Sequence, residues 1–290
     1  MEKSRKPSTK RYRLTLEYDG SNFSGWQKQN DARTIQGTLL AAGAEIFVDR
    51  KLDIQGHGRT DAGVHALNYT AHLETIGAPM SPAEILDRFN DLLPSSIVVL
   101  AVTSCGPRFH ARHNCMGRSY IYQISRRKSA FHRKYSWWLK EPLDFTAMAQ
   151  AAKVFAGMHD FAAFAEKPEL KKSTKVMVNG VFVYEDEAEE MLRLRVAGSH
   201  FLWKMVRRIA GVLVEVGSGN LAAEEVAAFF SRPPESLKHL TAPACGLFFE
   251  KAFYDQEEFD AFLAAAARQG RGNPGFVHMN EKKSAVSAES

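Results

Sequence analysis

Cysteine is scarce in this chain. Cys105, Cys115 and Cys245 are its only three, and an odd number of widely spaced thiols gives neither a disulfide framework nor the CxxC pairing of a zinc site. Reduced thiols in a cytoplasmic protein are the expectation. Long apolar runs are missing too. Met1 to Lys10 carries charge with no apolar stretch after it, and no later window comes near the roughly 20 apolar residues of a membrane span, so neither export nor membrane insertion is expected. A third absence is local: from Arg108 to Lys140 there is no Asp or Glu. Nine cations stand there, Arg108, Arg112, Arg118, Arg126, Arg127, Lys128, Arg133, Lys134 and Lys140, more than the net charge of +5 of the whole chain. Phe109, Tyr120, Tyr122, Phe131, Tyr135, Trp137 and Trp138 are interleaved with them. Cations that attract phosphate, among rings on which bases stack, are one signature of nucleic-acid binding. A solvated basic face over core aromatics accounts for the same residues.

What is present is enough apolar residue, 45% of 290, for one large domain or two ordinary ones. Arg11 to Tyr18 alternates as a strand, Thr34 caps a helix carrying Ile35, Leu39, Ala42 and Ile46, and Leu52 to Gln55 and Asn68 to Leu73 read as two further strands. Ser81-Pro82-Ala83-Glu84 has a capping-box pattern before Ile85, Phe89 and Leu92, and Ile97 to Val102 is a buried strand. The order β-α-β-β-α-β is that of a ferredoxin-like unit. It recurs in the second half. There, a strand through Tyr120, Tyr122 and Ile124 precedes a helix from Phe145 to Phe155 that ends at Gly157, then a hairpin of Lys175–Tyr184 with Met191–Val196. A long helix from about Phe201 to Val216, an extra helix capped by Asn220 and a strand Leu247–Tyr254 complete it, and Phe259, Phe262, Leu263 and Ala266 mark a last helix. The expectation is an α+β protein of two ferredoxin-like halves with antiparallel sheets, residues 11–105 and 106–268. A flexible terminus at 1–10 and a disordered tail at 269–290 would flank them.

Between the second and third strands lies Gly56-His57-Gly58-Arg59-Thr60-Asp61-Ala62-Gly63-Val64-His65-Ala66. Three glycines in eight residues disfavour a helix and let a backbone approach a ligand closely. A lone Asp here is most simply a turn former. His57, Asp61 and His65 fall four apart and would share a helical face as metal ligands, but the glycines oppose that helix.

Gly58 to His65 resembles the signature loop of the TruA family of tRNA pseudouridine synthases. Tyr18-Asp19-Gly20, Gly25-Trp26-Gln27, Phe109-His110-Ala111-Arg112, Arg118-Ser119-Tyr120-Ile121-Tyr122, Met205-Val206-Arg207 and Gly246-Leu247 follow the family's order, so the likeness spans roughly residues 11 to 254. Trp203 and Lys204 stand where some members have histidines, and Lys175 where an Arg is expected. The resemblance implies the pseudouridine synthase fold, a cytoplasmic homodimer, and isomerisation of uridine at positions 38, 39 and 40 of the tRNA anticodon arm. It implies no cofactor and no metal. By resemblance, Asp61 is the nucleophile, Arg207 its cationic partner, and Tyr120 the aromatic against the uracil and a candidate for the C5 proton. Arg59 would hold the RNA backbone or fill the vacated stack, and Leu247 would pack beside the base. From charge alone, Arg126 and Arg127 would contact tRNA phosphates. Two rivals make different demands. Tandem RRM modules require an RNP1 motif in the third strand, which here reads Leu67-Asn68-Tyr69-Thr70-Ala71-His72-Leu73, and a metal-dependent nuclease built on His57, Asp61 and His65 would lose activity on chelation.

Overall fold

The computed structural model describes residues 9–48, 51–76, 80–168, 173–186 and 190–269. Alternation sets the first strand, β1 (Thr9–Tyr18), because Tyr12, Leu14, Leu16 and Tyr18 all need one buried face. The first half continues with α1 (Ile35–Ile46), β2 (Leu52–Gly56), β3 (His65–Ile76), α2 (Pro82–Leu92) and β4 (Ile97–Cys105). The Thr34 hydroxyl accepts from the Gly37 N–H to start α1, and Ser81 and Glu84 form the reciprocal capping box of α2. The second half holds β5 (Gly117–Ser125), β6 (Trp137–Trp138), α3 (Phe145–Ala152), β7 (Gly157–Asp160), β8 (Lys175–Asp186), β9 (Met191–Gly198), α4 (Met205–Gly217), β10 (Leu247–Phe253) and α5 (Gln256–Gln269). The tails expected at 1–10 and 269–290 lie outside the described residues, except that Thr9 and Lys10 belong to β1 and Gln269 to α5.

The result is a mixed α+β fold around one large, mostly antiparallel sheet, in the order β4-β1-β3-β10-β5-β9-β8-β7, with β2 on β3 and β6 on β5. Among the described residues only β3·β10 and β5·β6 run parallel. The β3·β10 pairing sets Phe248 opposite His65 and Phe249 opposite Ala66, and it joins the strands of the first half to those of the second. The helices α1 to α4 share the main core. Phe259 of α5 instead packs with Phe253 and Ala197, and since Ala197 alternates with the core residue Val196, α5 covers the other sheet face.

Three local expectations give way to backbone geometry. α4 begins at Met205 rather than near Phe201, because Lys204 sits at φ +63 and cannot continue a helix backward. α3 ends at Ala152 in a 3-10 turn, and Gly157 at φ +107 opens β7 instead of closing the helix. The segment after Asn220 is a 3-10 helix, Ala223–Phe230, entered through the Glu225 carboxylate accepting from the Ala222 N–H at 3.0 Å; Asn220 itself bonds Glu215.

The seam is built of rings. Fully buried Phe249 meets His57 at 4.0 Å, Tyr120 at 5.2 Å and Tyr69 at 5.6 Å between centroids. Burial, reinforced by the Arg118 charge and only partly offset by the bond to Thr70 O, pushes the His57 imidazole down to about 3. His57 is therefore neutral in the fold and titrates near its ordinary value of about 6.5 once unfolded. Between those two values the unfolded chain binds the extra proton, so His57 favours folding fully above pH ~6.5 and progressively less as pH falls toward 3. Denaturation midpoints should drop from pH 7 to pH 4, and His57→Phe should make that drop shallower by up to about 1.4 kcal/mol per pH unit. An unchanged slope in the variant would show that His57 is not the buried neutral group described.

Candidate active site

The loop from His57 to Val64 joins β2 to β3 and is held from below by the segment after β1. Tyr18 Oη and Thr60 Oγ1 are 2.9 Å apart, the Trp26 N–H donates to Thr60 O at 3.1 Å, and the Gly63 N–H donates to Phe23 O at 3.3 Å. Gly25, at φ +87, is where the two backbones touch: a Cβ there would lie 2.4 Å from Thr60 O. This close packing explains why Tyr18-Asp19-Gly20 and Gly25-Trp26 accompany the loop. The Val64 N–H closes the loop on Asp61 O at 3.2 Å, pinning the turn that carries the Asp61 side chain.

Arg207 comes to Asp61 from the first turn of α4. Its Nη1 donates to Asp61 Oδ2 at 3.1 Å, and both side chains are mostly covered, at 16% and 24% exposure. The guanidinium is aimed from behind: Nε donates to Ala242 O at 2.7 Å, while the Ala242 N–H donates to Arg207 O at 3.1 Å. The 241–247 strap therefore touches Arg207 at one end. At the other, Ala244 Cβ would stand 3.4 Å from a Cβ on Gly63 of the Asp61 loop.

Tyr120 projects from the middle of β5, buried between the edges of Phe201 and Phe249 at 5.2 Å each. Burial pushes its phenol well up; the Arg118 charge opposes the shift and the Asp61 charge adds to it. Tyr120 is thus a neutral phenol within electrostatic reach of Asp61. Leu247, buried at the head of β10, pairs with Tyr122, two residues along from Phe249 opposite Tyr120, so all four side chains face the same way. Asp61, Arg207 and Tyr120 are brought to one place, with Leu247 on the same sheet face as Tyr120 and Arg59 exposed on the Asp61 loop.

Arg126 and Arg127 are not. They follow β5 six and seven residues beyond Tyr120, about 20 Å along an extended chain, and ion-pair with Glu185 at 2.7 Å and Glu190 at 2.6 Å. Nor do His57 and His65 converge on Asp61. His57 is packed between Tyr69 and Phe249, and the His65 Nδ1 accepts from the Gly20 N–H at 3.1 Å while its Nε2 faces Lys134 O at 3.0 Å. Both rings are committed to structure, and no cluster of metal-binding side chains forms among the described residues. Asp19, part of the Tyr18-Asp19-Gly20 motif, receives the Tyr135 hydroxyl at 3.0 Å beside His65. One support has no mark in the sequence: Glu166 pairs with the buried Arg208 next to Arg207, and it stands in no pattern that alternation or spacing would single out.

A family model described as tRNA pseudouridine synthase matches residues 15–114 and 151–255, segments that contain Asp61 and Arg207. A tRNA pseudouridine synthase A of Clostridium tetani is 35% identical over 247 residues, 84% of this chain and 98% of the relative. One from Protochlamydia amoebophila is 36% identical over 249 residues, covering 85% and 97%, and one from Zymomonas mobilis 35% identical over 247 residues, covering 84% and 99%.

The support behind Arg207 can be probed one turn along the same face of α4. A Cβ on Gly211 would lie 1.6 Å from Leu240 O, so Gly211→Ala must displace the backbone that leads into Ala242. Overpacking of this kind should cost about 1–3 kcal/mol in chemical denaturation. Gly58→Ala meets nothing within 4 Å and should stay within about 0.5 kcal/mol of the parent. Equal stabilities for the two variants would contradict the packing described.

Proposed function

The chain belongs to the tRNA pseudouridine synthase A family, and from that membership we propose that it isomerises uridine to pseudouridine in the tRNA anticodon arm, at positions 38, 39 and 40, with Asp61 as nucleophile. The enzyme is an isomerase. The observation that carries the assignment of roles is the Arg207–Asp61 ion pair, made beside the buried Tyr120 phenol.

The reaction breaks the N1–C1′ bond of uridine, turns the base and joins C5 to C1′; a proton leaves C5 and one is gained at N1. Nothing is oxidised and no group is imported, so the chemistry asks for no cofactor. The target base must first leave its stack. Asp61 then holds the intermediate, by attack at C6 of the base or at C1′ of the ribose, while the base rotates. Arg207 donates to the Asp61 carboxylate and holds it in place for that attack. Tyr120 meets the uracil and, as a neutral phenol near Asp61, is positioned to pass on the C5 proton. Leu247 packs beside the base, and Arg59, exposed on the loop, meets the RNA backbone or the gap left in the stack.

The same proposal covers the frame. Residues 11–105 and 106–268 are two ferredoxin-like halves of a pseudouridine synthase fold, a reading supported by the strand orders β4-β1-β3-β2 and β10-β5-β9-β8, each of which a β-α-β-β-α-β unit produces. The acid-free stretch from Arg108 to Lys140 supplies phosphate contacts. Within it Arg126 and Arg127 exchange their carboxylate partners for the RNA backbone, at exposures where such ion pairs contribute little. The working form is a cytoplasmic homodimer, as the resemblance implies.

Asp61→Asn keeps the shape of the side chain and removes its nucleophilic charge. Binding of unmodified tRNA should stay within about threefold of the parent, while single-turnover pseudouridine formation falls at least about 1,000-fold. Substantial isomerisation by the Asn variant, with deamidation excluded by mass spectrometry, would remove Asp61 from the role.

A further inference from the structure

The turn that leads into α4 carries a large aromatic side chain that the core does not use. Leu202 to Met205 closes through the Met205 N–H to Leu202 O bond at 3.1 Å, and Lys204 has φ +63 and ψ +1. Those are the marks of a type II turn with its left-handed third position filled by a residue that adopts this geometry at a cost. Trp203 stands at the outward second position and is 52% exposed. The corner is nonetheless rigid. The Glu166 N–H donates to Trp203 O at 2.9 Å, its carboxylate lies 3.6 Å from Lys204 Nζ and also pairs with buried Arg208, and Lys204 Nζ sits 5.5 Å from the Trp203 ring centroid. Two residues before Trp203, Phe201 packs on Tyr120; four residues after it, Arg207 reaches Asp61.

We propose that Trp203 is a stacking platform for a nucleobase that neighbours the target uridine. Flipping the uridine out of the helix deprives that neighbour of a stacking partner, and an exposed indole fixed at the edge of the site replaces it. Because the turn is braced by Glu166 and Lys204, little side-chain entropy is lost on contact. The Lys204 cation over the ring adds a positive field that suits the RNA backbone. Trp203 is thus a positioning residue for the substrate, and the inference rests on the tRNA reading given above.

The test reads affinity rather than turnover. Binding of unmodified tRNA transcript is measured for the parent, Trp203→Phe and Trp203→Ala, and repeated with transcripts in which nucleotides 37 to 41 are made abasic one at a time. Trp203→Ala should weaken binding to intact tRNA about tenfold, as loss of one base stack does, and Trp203→Phe should keep most of the affinity. On the transcript whose stacking base is missing, Trp203→Ala should lose nothing further. Full affinity of the Ala variant for intact tRNA would overturn the proposal, as would a loss that persists undiminished on every abasic transcript. A parent that binds tRNA but forms no pseudouridine would overturn the isomerase reading alone, and the binding comparison would still decide the role of Trp203. A parent that binds no tRNA overturns both.

Discussion

The Arg207–Asp61 hydrogen bond joins residues 146 apart in the sequence, at 3.1 Å, and much of the described architecture sets that distance. Asp61 belongs to a loop carried by β2 and β3, while Arg207 belongs to a helix that follows β9. The two come into register because β3 and β10 pair in parallel at Phe248–His65 and Phe249–Ala66, and β10 in turn pairs with β5. A slip of one residue there would turn Phe249 and its neighbours to the opposite face and dismantle the ring cluster of His57, Tyr69 and Tyr120. The strap after Leu240 completes the arrangement by fixing both the backbone and the Nε of Arg207 through Ala242.

Energetics argues that this pair serves chemistry more than stability. Both groups are partly buried, and for such a pair the cost of desolvation offsets much of the Coulomb attraction. The surroundings of the pair are heavily committed, with a glycine at positive φ under the loop, the buried Arg208 paired with Glu166 beside Arg207 and a left-handed Lys204 at the helix start. Strained and polar features concentrated around a weak ion pair are what preorganisation of a reacting group requires. The neutral Tyr120 phenol and neutral His57 imidazole add bulk without adding charge that would compete for the carboxylate.

Much of this was legible in the sequence where the signal is local. The alternation of Tyr12, Leu14, Leu16 and Tyr18, the Thr34 cap and the Ser81–Glu84 box each found their element, because period and cap chemistry depend on neighbours a few residues away. The parallel β3·β10 pairing was not legible, since alternation says which face of a strand is buried and nothing about which edge it meets. The start of α4 was misplaced because a Lys in a left-handed turn carries no compositional mark. The ion pairs of Arg126 and Arg127 were not legible, because their partners, Glu185 near the end of β8 and Glu190 just before β9, reach them only through the register of β5 on β9. The glycine-rich loop of the site stands out in composition, whereas the roles proposed for its residues rest on family resemblance, because composition carries none.

Site-resolved pseudouridine mapping of tRNA from cells with and without the gene measures the central claim at the level of single nucleotides. The account predicts that pseudouridine at positions 38, 39 and 40 of the anticodon arm disappears when the gene is removed and returns when it is restored, with the rest of the tRNA profile unchanged. Pseudouridine retained at those positions in the absence of the gene, or lost only elsewhere in the tRNA, would contradict it.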